Sequence, residues 1–375
     1  MNVRVIQTVA GVEAHHGGPS RSVLQLAAAL AQARPAGEVA VLCTGRVGVS
    51  VPEGVEAVPL RTPLQRALRY TPEFSERLRA QLRTGAVLHD HGLWLPTNHA
   101  AARAARDGIP RLVSPRGMLS RWALAHRGWK KSLAWPLYQR ADLHTATALH
   151  ATSGDEALDL RRAGCVQPIA VVPNGVPLPA AQKHRGAKAA VALGRLHPVK
   201  GYDLLLRAWA QAAPQDWRLR IAGPDFHGHG ARLRALAAEL KLGERVRIEP
   251  ELSESGKWEF LASGVLLVQP SRSESFGMAV AEALASGLPV LATDAVPWPQ
   301  LSERGCGWRV ACEVDALAQG LRAATAKTDV ELQAMGARGR EWVSAELAWP
   351  AVATRMWALY DWLLGGPRPA DVHLD

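Results

Sequence analysis

The sequence predicts an α/β protein built from two doubly wound, mostly parallel sheets. Short apolar, β-branched segments alternate with stretches of helical periodicity through most of the chain, the pattern of parallel strands joined by crossover helices. One stretch without periodicity, Pro173 to Ala190 (PNGVPLPAAQKHRGAKAA), interrupts that alternation near the middle and reads as an interdomain linker. A length of 375 residues with 48% hydrophobic content is about two domains' worth of chain, with a core for each.

The elements follow in order. VRVIQTV, VAVLCT, AVLHDHG, PRLVSPRG, LHATS and AVVPNG are the expected strands of the first half; AVALGRL, LRIAG, RVRIEP, GVLLVQPS and LPVLATD are those of the second. Each set suits one Rossmann-like domain, which divides the chain into 1–180, 181–348 and a tail, 349–375. That tail contains WPAVATRMWALYDWLLGG, an amphipathic helix stopped by Gly365 and Gly366. FGMAVAEALASG is a helix that follows the strand GVLLVQPS across a loop at Arg272–Ser273 and ends near Gly287.

Composition narrows the function classes. The opening MNVRVIQTVAGV alternates and stops at Gly11, unlike a signal peptide, and nowhere do eighteen apolar residues run together, so a cytoplasmic or peripheral protein is expected. The four cysteines, Cys43, Cys165, Cys306 and Cys312, are scattered without C-x-x-C spacing, which suggests neither zinc nor a redox couple. Charge is uneven. Up to Ala180 there are 21 Lys and Arg against 12 Asp and Glu, a net of +9 out of +10 for the whole chain. Arg111 to Arg140 holds seven basic residues and no acidic one, interleaved with Trp122, Trp129 and Trp135. This strip is either a surface for anionic lipid head groups or a solvated basic face with its tryptophans in the core. No helix-turn-helix, zinc-finger or RNA-recognition signature accompanies it, so nucleic acid is not an expected partner.

Ligands of doubly wound sheets bind at the carboxyl ends of the strands, so the informative motifs should follow strands. Gly17 and Gly18 (HHGGPS) lie between the first strand and first helix, where absent side chains let a ligand approach helix amides. HDHGLW offers His91 as a hydrogen-bonding imidazole, with His89 readable as a satisfied loop histidine; no histidine pair has the helical spacing of a metal site. SPRGML places Arg116 at another strand end, suited to a phosphate or carboxylate, or equally to an interdomain salt bridge. GRLHPVKG places two cations, Arg195 and Lys200, around a turn where they can neutralise a diphosphate gaining charge as it leaves. Glu274 and Glu282 sit eight residues apart, the first just before the helix and the second within its small, apolar sequence. There a carboxylate is costly unless paired or bound to hydroxyls.

ESFGMAVAE resembles the E-x7-E motif of retaining GT-B glycosyltransferases, and with GRLHPVKG, VVPNGV, HDHG and GGPS the chain resembles glycosyltransferase family 4 in order from about Gly17 to Asp294. SPRGML is similar to a subset found among bacterial surface-polysaccharide enzymes. The resemblance implies two Rossmann-like domains facing a cleft, with the last helix crossing back onto the first domain. It implies that Arg195 and Lys200 hold the nucleotide diphosphate and that Glu282 accepts from ribose hydroxyls. Glu274 would contact hydroxyls of the transferred sugar, aided by amides around Phe276, Gly277 and Met278. His91 would touch the sugar near the acceptor, and Gly17–Gly18 would close on the donor. Members retain anomeric configuration and generally need no bound metal or other cofactor. Two departures concern the base: VRIEPELS carries Pro250 where many relatives have glycine, and ASG replaces a usual Ala-Asp.

The expected function is therefore transfer of a sugar from a nucleoside diphosphate to a glycan or lipid-linked hydroxyl, at the inner face of a bacterial membrane. A nucleotide-sugar epimerase of the same architecture and a non-catalytic sugar-nucleotide-binding protein are the alternatives. A nicotinamide enzyme is disfavoured, because G-x-G-x-x-G is missing.

Overall fold

A computed structural model describes residues 3–13, 18–45, 53–105, 108–126, 128–180 and 188–374. The chain forms two compact units, one of residues 1–175 with 349–375 and the other of residues 176–348. The division falls at Gly175, inside the stretch read as a linker.

The first unit holds an eight-stranded sheet: β1 (Arg4–Val9), β2 (Glu38–Thr44), β3 (Val55–Val58), β4 (Ala86–His91), β5 (Arg111–Ser114), β6 (Ala148–Ala151), β7 (Ile169–Val171) and, from the tail, β14 (Val372–His373). Their spatial order is β14-β7-β6-β5-β4-β1-β2-β3, with every pair parallel except β14 with β7. The second unit holds β8 (Ala189–Leu193), β9 (Arg218–Ala222), β10 (Val246–Glu249), β11 (Leu266–Gln269), β12 (Val290–Thr293) and β13 (Gly307–Val310), ordered β10-β9-β8-β11-β12-β13 and parallel throughout. β4, β5, β6, β11 and β12 are buried along their whole length, as expected of parallel sheets covered by helices on both faces.

All eleven expected strand segments contain a strand, and three further strands escaped the reading. β3 (VEAV) and β13 (GWRV) are edge strands with partly exposed residues, and β14 has two residues, so none carries a strong apolar run. The tail helix spans Trp349–Leu363 and belongs to the first unit. It buries Val352, Met356, Trp357 and Tyr360 against Leu26 and Leu30 of the helix Gly18–Ala33. Trp357 Nε1 donates to the Leu30 carbonyl at 3.0 Å, and Arg34 forks onto Asp361 at 2.8 and 2.6 Å. Among the described residues no helix is long and apolar enough to cross a membrane.

Strand order reverses between β1 and β4 in the first unit and between β8 and β11 in the second. At such a switch point neighbouring crossovers leave on opposite faces and open a crevice at the carboxyl ends. His91 ends β4, Arg195 and Lys200 follow β8, and Glu274 follows β11, so these motif residues lie at switch points.

Candidate functional site

In the second unit, the loops after β8 and β11 are tied together. The Arg272 amide donates to Val199 O at 2.8 Å, and its guanidinium reaches Pro198 O at 2.7 Å and both Asp203 oxygens at 2.8 and 2.7 Å. Gly201 turns in the left-handed region at φ +66°, and a Cβ there would run into the Pro270 carbonyl, so only glycine permits this approach. The result brings Lys200 Nζ within 2.5 Å of Glu274 Oε1. Gln269 Nε2 at 2.9 Å and Ser271 Oγ at 2.8 Å donate to the same oxygen. Oε1 thus takes three donors, while among the described residues Oε2 takes none. One carboxylate oxygen is fixed and the other keeps its acceptor capacity.

Past Glu274, the chain enters the helix Met278–Ala285 through Gly277 at φ +85°. Phe276 is buried against Trp298, whose Nε1 donates to the Phe276 carbonyl at 2.5 Å. The Met278 and Ala279 amides precede the first bonds of this helix, from the Val280 and Ala281 amides to Gly277 O at 2.9 and 3.4 Å, and lie at the positive end of its dipole. Glu282, about one turn on, is buried and accepts from Lys257 Nζ at 2.7 Å; Lys257 also reaches Glu254 at 2.6 Å. An exposed face, the plain expectation for a helical glutamate, is therefore not where Glu282 sits. Arg195 is exposed, with its guanidinium 5.9 Å from the centre of the Phe226 ring. Among the described residues it forms no ion pair and no hydrogen bond with Lys200 or Glu274, so the structure joins Lys200 to a carboxylate and leaves Arg195 apart.

In the first unit, His91 Nε2 meets Gln7 Oε1 at 2.9 Å, which puts the proton on Nε2 and leaves Nδ1 to accept. Arg116 supplies that donation through Nη2 at 3.1 Å and Nε at 3.3 Å, and its Nη1 reaches Asn174 Oδ1 at 2.6 Å. Arg116 is buried at a left-handed φ of 56°. Among the described residues of the first unit no carboxylate is in salt-bridge contact with it. Burial lowers its pKa and holds His91 well below the usual histidine range. His89 is fully buried within β4, not on a loop. Tyr360 OH lies 2.8 Å from its Nδ1, its Nε2 lies 2.7 Å from Ser114 Oγ, and Ser114 in turn meets His150 Nδ1 at 2.6 Å. His150 Nε2 ends the chain on Val172 O at 2.8 Å, and the His89 ring stands 4.0 Å from that of His91. Gly17 lies outside the described residues; Gly18 opens the first helix.

Two family models cover the chain in succession: Glycosyltransferase Family 4 over residues 16–179 and Glycosyl transferases group 1 over residues 179–342. The chain belongs to glycosyltransferase family 4. Within this family, it is 31% identical over 232 residues to D-inositol 3-phosphate glycosyltransferase of Streptomyces scabiei, a match covering 55% of this chain and 52% of that protein. The chain thus spans about half the length of that relative. It is 27% identical over 297 residues to the GDP-mannose:cellobiosyl-diphosphopolyprenol alpha-mannosyltransferase of Xanthomonas campestris, covering 76% of this chain and 77% of the other. Sucrose-phosphate synthase from Thermosynechococcus elongatus shares the fold at a TM-score of 0.78 and 22% identity, over 97% of this chain and 99% of the other. HepE of Anabaena, solved with UDP and glucose, does so at 0.75 and 16% identity, over 96% and 99%. The GT-B architecture of this glycosyltransferase family 4 chain is two parallel-sheet α/β units.

Gln7, Asn174, Lys257, Gln269, Ser271 and Trp298 hold the candidate residues in place, and the sequence reading gave none of them a role. A buried polar residue inside an apolar strand is a readable signal, and Gln269 in GVLLVQPS carries it. Lys257 offers no such signal, because a lysine flanked by Glu254 and Glu259 in ESGKWEFLA carries no local mark of burial.

Proposed function

We propose that this chain is a retaining glycosyltransferase that moves a sugar from a nucleoside diphosphate to a hydroxyl of a glycan or lipid-linked acceptor. Its place would be bacterial cell-surface polysaccharide synthesis, in the cytoplasm at the inner face of the membrane, with no metal ion required. The observation that carries this reading is the Glu274 carboxylate, four residues ahead of the helix Met278–Ala285, which has one oxygen saturated by Lys200, Gln269 and Ser271 and the other without a donor among the described residues. A sugar hydroxyl is the natural donor for Oε2, and a diphosphate the natural competitor for Lys200. Glu282 accepts from ribose hydroxyls, and Arg195 adds the second cation. His91 and Arg116 serve the acceptor side in the first unit.

In the reaction, the bond between the anomeric carbon and the phosphate oxygen breaks, and its electron pair goes to the diphosphate. Lys200, Arg195 and the helix amides stabilise that charge. The acceptor oxygen bonds to the anomeric carbon on the same face and passes its proton to the departing phosphate. Two-carboxylate hydrolysis would need an acid and a nucleophile flanking one bond. Here Glu274 and Glu282 hold separate basic partners, Lys200 and Lys257, which favours recognition over attack. The named substrates of the Xanthomonas campestris relative, GDP-mannose and a diphosphopolyprenol-linked sugar, support the donor and acceptor classes.

The test is a thermal-shift screen against nucleoside diphosphate sugars, since a ligand that binds only the native state raises its apparent stability. A shift with a nucleotide sugar, followed by release of free nucleotide only when acceptor is added, is the expected result. Turnover of the donor alone would make the chain an epimerase, and binding without any transfer would make it a non-catalytic binding protein.

A further inference from the structure

The basic, tryptophan-bearing strip of the first unit is resolved by the structure into two faces. Gly128–Ala134 is α-helical and Trp135–Gln139 continues it as a π-helical turn. One face is anchored: Trp135 packs beside Trp94 with ring centres 6.0 Å apart, Tyr138 OH donates to Trp94 O at 2.6 Å, and the Trp94 amide donates to Gln139 Oε1 at 2.6 Å. The other face presents Trp129, Leu133 and Leu137, which are 67%, 58% and 78% exposed. These residues are spaced i, i+4 and i+8, so they form a single stripe. Large side chains this exposed, in line and on a segment fixed from behind, have a cost in water that isolated surface apolar residues do not.

The charge around the stripe says what covers it. Lys130 and Arg140 are exposed on the same segment, Arg121 is exposed on the preceding helix Arg121–Ala125, and no acidic residue occurs from Arg111 to Arg140. Two copies of this face would oppose like charges. Nucleic acid would leave the leucines without a partner, because its affinity comes from phosphates and stacked bases. We propose that the Trp129–Leu133–Leu137 stripe inserts into the interface of an anionic lipid bilayer, with Arg121, Lys130 and Arg140 on the head groups. An indole at the head-group level and aliphatic side chains below it match the layering of that interface. This deepens the lipid-linked acceptor reading by giving the first unit a way to hold the chain where such an acceptor resides.

The test is co-sedimentation of the full chain with phosphatidylcholine vesicles, with and without phosphatidylglycerol, at low and high salt. The parent is expected to bind the anionic vesicles and to be released by salt. Trp129→Ser/Leu133→Ser/Leu137→Ser should weaken binding about tenfold or more, since burial of the apolar face sets its strength. Lys130→Glu/Arg140→Glu should abolish the preference for phosphatidylglycerol while leaving the fold, read by circular dichroism, intact. Absence of parent binding at low salt overturns the proposal. So does triple-variant binding equal to the parent's, or parent self-association that the triple variant removes. The assay uses neither donor nor acceptor, so its outcome is independent of whether a nucleotide sugar shifts the melting temperature.

Discussion

Lys257 Nζ lies 2.7 Å from Glu282 Oε1, and the two side chains are only 9% and 11% exposed. The carboxylate stands on a helix whose other side chains are almost all buried and apolar, where an ammonium at hydrogen-bond distance offsets part of the cost of its charge. Removing one member of a buried pair takes the nearest opposite charge away from the other. Lys257→Met is therefore expected to cost about 3 kcal/mol in urea unfolding, and Lys257→Met/Glu282→Leu to recover most of that loss. A double variant no more stable than the single one would contradict a balanced pair. In the glycosyltransferase reading, Lys257→Met also weakens donor binding, because the ribose acceptor loses its orientation.

The Lys200–Glu274 contact leads to a kinetic expectation. Lys200 is asked to stabilise leaving-group charge and Glu274 to hold the sugar, so Lys200→Ala is expected to lower kcat by about a hundredfold or more. Glu282→Ala should act mainly on the donor KM, as loss of binding shared by ground and transition states does. Steady-state assays with a donor identified by thermal shift distinguish the two; turnover near the parent's in both variants would remove these residues from the mechanism.

Much of this arrangement was legible before the structure. Glu274 and Lys200 each follow an apolar strand and His91 ends one, and position at a strand's carboxyl end in a doubly wound sheet is a topological property that local sequence carries. What was not legible depends on pairings distant in sequence. Lys257 meets Glu282 from 25 residues away, and His89 is bonded to Tyr360 from 271 residues away. No local pattern encodes either, and so His89 read as a loop residue. The edge strands β3, β13 and β14 were missed for a related reason, since they are stabilised by one neighbour and need no continuous apolar run. The tryptophans of the basic strip show the limit of composition: Trp129 faces solvent and Trp135 packs inward, a split that depends on helical phase.

Gly201 separates site geometry from stability. Its φ of +66° costs another residue about 1 kcal/mol or more, and a Cβ would push against the Pro270 carbonyl. Gly201→Ala relieves that clash by moving the loop after β8 away from the loop after β11, which pulls Lys200 off Glu274. Donor-induced thermal stabilisation is expected to fall at least tenfold in apparent affinity, well beyond what about 1–2 kcal/mol of lost stability explains. A variant that loses stability but binds donor like the parent would show that the glycine serves the backbone alone.

Acid should unfold the first unit through its histidines. Burial holds His89 and His91 well below the usual histidine range and pushes His150 down from 6.5 to about 3, so all three are neutral in the folded chain. The unfolded chain binds a proton at each near 6.5, and the folded chain does not. Their contribution is thus fully present above about pH 6.5 and is lost as pH falls toward the folded values. Asp90 opposes them. Burial raises it to about 7, so the folded chain keeps a proton that the unfolded chain releases near pH 4, and its contribution to stability falls as pH rises between those values. Three groups against one leave net acid lability between about pH 4.5 and 6.5. His150→Gln, whose amide can still donate to Val172 O and accept from Ser114, is expected to flatten the slope of unfolding free energy against pH by about 1.4 kcal/mol per unit. Asp90→Asn should steepen it by a similar amount, and urea titrations across that range that show the parent's slope in both variants would dismiss the assignment.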